Sequence, residues 1–245
     1  MILKLDVLAF AAHPDDVELG CAGTVFKLIA EGKKVGITDL TGGERGTRGN
    51  ALQRSQEAER ASELFNLTAR SNLGFKDCFF ENNQEHQLAL IRNIRFHQPE
   101  IVLINAPYDR HPDHGRAEKL VRDASFLSGL PKIETRNDDG TLQTAWRPKY
   151  VFSYIQDHLL MPSFVVDVTP FFEQKLAVIQ AYESQFYNPQ ITDEPETYIS
   201  NARYLKVIEA RARTFGHLIG VEFGEGFIHD KPIKVNSLMD FISSN

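Results

Sequence analysis

The chain is short of most features that mark secreted, membrane-embedded or nucleic-acid-binding proteins. Cysteine is scarce. Only Cys21 and Cys78 occur in 245 residues, and with no C-x-x-C pair a disulfide framework is not expected. Both read instead as small buried thiols. No apolar run approaches the ~18 residues that a membrane span needs. The opening Met1-Ile2-Leu3-Lys4-Leu5-Asp6 brings in charge at once and lacks the apolar core of a signal peptide. The expected location is therefore the cytoplasm. An excess of basic charge is also missing. Lys and Arg number 27 against 33 Asp and Glu, a net charge of −6, which argues against a basic face holding nucleic acid. A small anionic substrate stays compatible with this balance, because arginines can cluster locally.

What is present reads as one globular unit. Internal repeats, low-complexity segments and linkers are all missing, so a single domain over 1–245 is expected. Val7 to Ala12 (VLAFAA) and Ile101 to Asn105 (IVLIN) are short continuous apolar runs of the kind buried on both faces of a sheet. Val35 to Leu40, 69–73, 150–155 and 164–168 read as further strands. Helical spacing covers about 20–31, 51–65, 84–96, 115–127 and 170–182, with a long helix over 196–215 stopped by Gly216. The loop TGGERGTRGN at 41–50 breaks any helix, and 129–148 reads as a surface excursion. Alternating strands and helices predict an α/β fold: a Rossmann-like, three-layer arrangement around a mostly parallel sheet.

In such sheets ligands bind beyond the carboxyl ends of the strands. Here those ends carry His13-Pro14-Asp15-Asp16, then Glu44, Arg45 and Arg48, then His111-Pro112-Asp113-His114. The first turn also lacks the glycines that let backbone approach a pyrophosphate, and its two carboxylates would repel one, which disfavours dinucleotide binding. A metal explains the same residues better, since catalytic zinc commonly takes three ligands from His, Asp or Glu. His13 and Asp16, three apart across a tight turn, can point inward together, and His114 supplies a third ligand from a distant loop. Asp15 would face another way, placed to act as a general base. The bland alternative makes these histidines ordinary loop residues and the aspartates turn-formers; two such tripeptides at two strand ends weigh against it. The same donors also suit iron(II) or another divalent metal.

The segment AHPDDVELGCAGT resembles the signature of the PIG-L/LmbE-like zinc deacetylases, and HPDH at 111–114 is similar to their second motif. TGGERGTRGN with Arg54 and Glu57, NLGFKD at 72–77 and ARARTFGHLIGVEFGEGF at 210–227 resemble the branch that deacetylates in bacillithiol biosynthesis. Ala22 departs from a frequent glycine. The resemblance implies His13, Asp16 and His114 as zinc ligands and Asp15 as base, in agreement with the spacing. It also implies His111 paired with Asp113 as a relay, Arg54 as a substrate contact and Asp77 as a contact to sugar hydroxyls. A tyrosine that polarises the carbonyl would be Tyr108 or Tyr198. The implied reaction removes the N-acetyl group from an amino-sugar substrate, N-acetylglucosaminyl-malate in that branch. The arginine cluster Arg45, Arg48 and Arg110 would then read the malate. A chitobiose-like substrate, or a non-catalytic nucleotide- or metal-binding module, are the rival readings. The resemblance further implies a homo-oligomer, up to a hexamer. His86, His97, His158, His217 and His229 show no partner pattern and read as ordinary residues.

Overall fold

The computed structural model describes residues 3–191 and 193–241. Strand β1 (Val7–Ala11) is buried along its whole length and lies between β2 (Val35–Thr41) and β4 (Ile101–Ile104). Beyond them, β3 (Ala69–Phe75) joins β2 and β5 (Tyr150–Tyr154) joins β4, with every pairing parallel. The sheet then turns antiparallel. β7 (Gly224–Ile228) inserts between β5 and β6 (Phe164–Asp167), giving the order β3-β2-β1-β4-β5-β7-β6. The fold is thus the expected three-layer α/β arrangement, with a mixed, mostly parallel sheet.

Successive residues of a strand face opposite sides, and β1 shows how the three layers form. Leu8 and Phe10 pack with Leu90, Ile91 and Ile94 of α3 (Gln84–His97) and with Leu120 and Val121 of α4 (Pro112–Leu127). Val7, Ala9 and Ala11 meet Val17, Cys21 and Val25 of α1 (Asp16–Ala30) on the other face. Ala58 and Ala61 of α2 (Ala51–Phe65) join Ile179 of α5 (Phe172–Gln180) and Ile208 of α6 (Tyr204–Ile219) in a further cluster.

Several helix ends differ from the expectation, each for a local reason. α1 starts at Asp16 rather than about 20, because a non-helical Cys21 (φ −147°) divides it in two and the sequence pattern follows only the second half. The break exposes backbone N–H groups inside the helix. Glu225 of β7 accepts from Gly23 N (2.9 Å), Thr24 N (2.7 Å) and Thr24 Oγ1 (2.6 Å), and its own charge is met by Lys175 Nζ at 2.6 Å. α4 starts at Pro112, whose fixed φ and missing N–H suit a first helical position, with His111 as the capping residue. The long helix expected over 196–215 is instead α6. Thr197 and Ser200 exchange side-chain and backbone hydrogen bonds in a turn that competes with helix there. Gly216 does not end α6; Gly220, with φ 77°, does. At Gly216 a Cβ would lie 2.7 Å from the carbonyl oxygens of Val221 and Glu222, so glycine lets the chain fold back tightly towards β7.

The excursion at 129–148 contains one isolated bridge, Arg136 to Leu142. The Arg95 guanidinium, buried beneath it, donates to the carbonyls of Ser128, Leu130 and Ile133 and to Thr135 Oγ1. Among the described residues no helix is long and apolar enough to cross a membrane.

Candidate active site

Loops leaving β1, β2, β4 and β5 meet in a cleft of about 260 Å³. His13, Asp15, Asp16, Arg45, Arg54, Asp77, Arg110, His111, His114 and Tyr198 line it, so most of the residues singled out in the sequence are brought together. The turn after β1 is constrained. Asp15 has φ 119°, a conformation that side-chain-bearing residues rarely adopt and that clusters at functional sites. His13 N donates to Asp16 Oδ2 (2.9 Å), and Leu19 N donates to the Asp15 carbonyl (2.9 Å), closing the turn into α1. The two adjacent aspartates consequently point to different partners.

Asp16 faces the histidines. Its Oδ1 lies 3.1 Å from His114 Nε2 and accepts from Gln156 Nε2 at 2.6 Å. Its Oδ2 lies 3.7 Å from His13 Nδ1 and accepts from Asn105 Nδ2 at 3.0 Å. The outer nitrogens of both imidazoles rest on carboxylates. His13 Nε2 is 3.0 Å from Asp77 Oδ1 and 3.2 Å from Asp113 Oδ2, and His114 Nδ1 is 2.7 Å from Asp109 Oδ2. Carboxylate-backed histidines of this kind are the usual outer shell of a metal site. The electrostatics agree. Burial works against charge on His13, yet Asp113, Asp77 and Asp16 raise its pKa to about 10. Burial also opposes charge on His114, but Asp16 and Asp109 raise it to about 9. Burial likewise disfavours the Asp16 carboxylate, and the facing histidines still hold its pKa well below the usual range. The surrounding carboxylates thus favour two positive charges between His13 and His114, which one divalent cation would supply. Donors that could hold such an ion are present: His13, His111 and His114 each offer a ligand atom within 4.8 Å of the others, and Asp16 faces His13 and His114.

Asp15 looks the other way. Arg54 Nη1 donates to Asp15 Oδ2 (2.9 Å) and to the Pro14 carbonyl (2.6 Å). Burial raises the Asp15 pKa to about 7; the Arg54 charge pulls it down and Asp16 pushes it up. A base must be deprotonated to act, so removing Arg54 raises the pKa further and leaves less base at neutral pH. For Arg54→Gln the acidic limb of the pH–rate profile should accordingly move to higher pH, checked by kcat/KM across pH; an unmoved limb would show that Arg54 does not set this proton affinity.

His111 caps α4 by accepting from Asp113 N at 3.3 Å through Nδ1, which leaves the proton on Nε2. Burial and the neighbouring His13 and His114 charges lower its pKa to about 4, so it is a neutral donor. The side-chain pairing of His111 with Asp113 expected from the resemblance is not made. Asp113 instead bonds His13, Cys78 N (3.0 Å) and Arg116, because its place in the first turn of α4 aims it at the β3 side of the cleft. Asp77 has a structural task as well. It lines the cleft, and its oxygens are already engaged by His13 Nε2 and Arg45 N (2.8 Å), so it also braces the site. Arg48 lies outside the cleft lining: it is buried, with Nε 3.1 Å from Glu194 Oε2, and its carbonyl accepts from Gln185. Of the two tyrosines, Tyr198 lines the cleft with the Arg110 guanidinium 4.5 Å from its ring centre, whereas Tyr108 is exposed and leans on His158.

Asn105, Asp109, Gln156 and Tyr204 were not singled out in the sequence. Asn105 and Gln156 are the first polar residues after buried strand runs, a signal that could have found them. Asp109 sits in the same loop as HPDH, and nothing in its spacing marks it.

Residues 8–125 match the PIG-L family, described as GlcNAc-PI de-N-acetylase. The diacetylchitobiose deacetylase of Thermococcus kodakarensis is 32% identical over 190 residues, 74% of this chain and 70% of that protein. The chain belongs to the PIG-L deacetylase family. A conserved protein of Thermus thermophilus shares the fold with a TM-score of 0.82 at 34% identity, over 96% of this chain and 99% of that one. The N,N'-diacetylchitobiose deacetylase of Pyrococcus horikoshii, solved with its inhibitor MPG, gives 0.76 at 28% identity, over 90% and 82%. The span that matches the family contains all of β1 but its first residue, β2 to β4, most of α4 and both histidine–aspartate tripeptides of the site.

Proposed function

We propose that the protein hydrolyses the N-acetyl group of an N-acetylglucosamine conjugate in a metal-dependent reaction, releasing acetate and an amine. The observation that carries this reading is the divided turn after β1: Asp16 faces His13 and His114 while Asp15, held by Arg54, keeps a near-neutral pKa. A divalent ion held by His13, Asp16 and His114, zinc by preference, would polarise the acetyl carbonyl and acidify a water. Asp15 accepts the proton of the attacking water. Its raised pKa then suits it to return that proton to the amine nitrogen as the carbon–nitrogen bond breaks. His111 Nε2–H donates to the carbonyl oxygen as negative charge develops there. Tyr198, across the cleft, offers a further hydroxyl.

N-acetylglucosaminyl-malate is the favoured conjugate. Arg45 and Arg110 line the cleft and suit carboxylates. A chitobiose-like substrate is the second reading, favoured by the likeness to two diacetylchitobiose deacetylases. Assay of N-acetylglucosaminyl-malate, diacetylchitobiose and N-acetylglucosamine on one preparation, with metal analysis, separates them. About one tightly held metal ion per chain is expected in the protein as purified, with activity lost to a chelator and restored by one equivalent of a divalent ion; full activity in metal-free protein would refute the proposal. Arg110→Ala should weaken turnover of the malate conjugate more than that of N-acetylglucosamine. Arg48→Ala, acting on the loop through Glu194, should weaken both equally. The reverse pattern would assign malate to Arg48.

A further inference from the structure

His158 has no partner pattern in the sequence, yet it sits in a second cluster of potential ligands beside the cleft. Asp109 ties two loops together: its Oδ1 accepts from the backbone N–H groups of Arg110 (2.9 Å), Asp157 (3.2 Å) and His158 (2.8 Å). Asp157 lines the cleft, but its side chain is only 10% exposed. Its Oδ2 lies 3.8 Å from Arg110 Nε, and its Oδ1 is buried with no hydrogen-bond partner. His158 Nδ1 is buried without a partner as well. One ligand atom from each of Asp109, Asp157 and His158 lies within 4.8 Å of the other two. Folding disfavours a carboxylate oxygen and an imidazole nitrogen that are both buried and unmet, unless a ligand answers them.

We propose that Asp109, Asp157 and His158 hold a second divalent cation on the cleft wall, apart from His13, Asp16 and His114. One imidazole and two carboxylates form a borderline donor set suited to zinc, iron(II) or manganese(II). Asp157 opens to the cleft, so an ion reaches the site from solvent. Its binding has two consequences. It competes with Arg110 and Tyr198 for Asp157. It also shares Asp109 with His114, whose Nδ1 rests on the same carboxylate. The second ion therefore acts against the first, and turnover falls when the cation is in excess.

The test needs no substrate to begin. Metal-stripped full-length protein is dialysed against graded zinc, and bound metal is counted by elemental analysis. Wild type should bind two ions per chain, one more weakly. His13→Ala should keep the weaker ion, and His158→Gln should keep the tighter. Asp157→Asn serves as a second variant if His158→Gln does not fold, and should also bind one. Turnover at excess zinc, relative to one equivalent, should drop in wild type but not in His158→Gln. Saturation of wild type at one ion, or two ions in both ligand variants, would overturn the proposal.

Discussion

Asp15→Asn is expected to keep its fold and its metal while turnover falls by ~10²–10⁴-fold, the usual contribution of a general base. Asparagine is well chosen for this position. It tolerates positive φ better than most residues, so the backbone at 119° is not the variable. Its amide oxygen can still accept from Arg54, preserving the contact made by Asp15 Oδ2. What it loses is the ability to take a proton. Asp16→Ala should behave differently, losing metal and activity together, because Asp16 faces His13 and His114. Elemental analysis and steady-state kinetics on the two variants separate the roles. An Asp15→Asn protein that empties of metal while Asp16→Ala stays loaded would exchange them. A loss below tenfold at Asp15 would place the base on another residue.

The second large effect lies far from the chemistry. Glu225→Ala should destabilise the protein by about 3–5 kcal/mol, the range for breaking one side of a buried ion pair. Lys175 and Glu225 are each only 3% exposed, so the variant leaves an ammonium without a counter-charge in the core. It also removes the acceptor for Gly23 N, Thr24 N and Thr24 Oγ1, the groups that the break at Cys21 leaves unsatisfied. For a chain of this size the thermal midpoint should drop by roughly 6–20 °C, read by circular dichroism or calorimetry with reversibility checked. Combining Glu225→Gln with Lys175→Met removes both charges while keeping a side-chain oxygen for the helix, and should recover part of the loss. A shift under about 1 kcal/mol for Glu225→Ala, the worth of a surface pair, would mean that the helix finds another cap.

The centre of the parallel half, β1 and β4, was legible because these strands are buried on both faces and read as unbroken apolar runs, VLAFA and IVLI. β7 was not. GEGFI carries two apolar residues, and its other positions serve particular neighbours. Gly224 and Gly226 lie close against Val165 and Phe215, and Glu225 serves α1. The cleft was legible where histidine and aspartate recur at strand ends. It was less so where a side chain's partner depends on fine aim. Spacing alone cannot tell that Asp113 turns to His13, that Asp77 is engaged by His13 and Arg45, or that Arg48 turns to Glu194. Those choices are set by contacts from segments distant in the chain, which a single sequence does not display.

The placement of β7 also sets an order of assembly during synthesis. Strands β2 to β5 can each pair on leaving the ribosome, since each has one sheet neighbour already made: β1 for β2 and β4, β2 for β3, and β4 for β5. β6 cannot: its pairing in the sheet is with β7, whose last residue is Ile228, some sixty positions later. Until that segment emerges, β6 has an open edge, α1 lacks the carboxylate that bridges its break, and Lys175 has no counter-charge. Nascent chains stalled before residue 224 should therefore hold the half of the site borne by β1 to β4 on an unfinished scaffold. That is the stage at which a chaperone has most to protect.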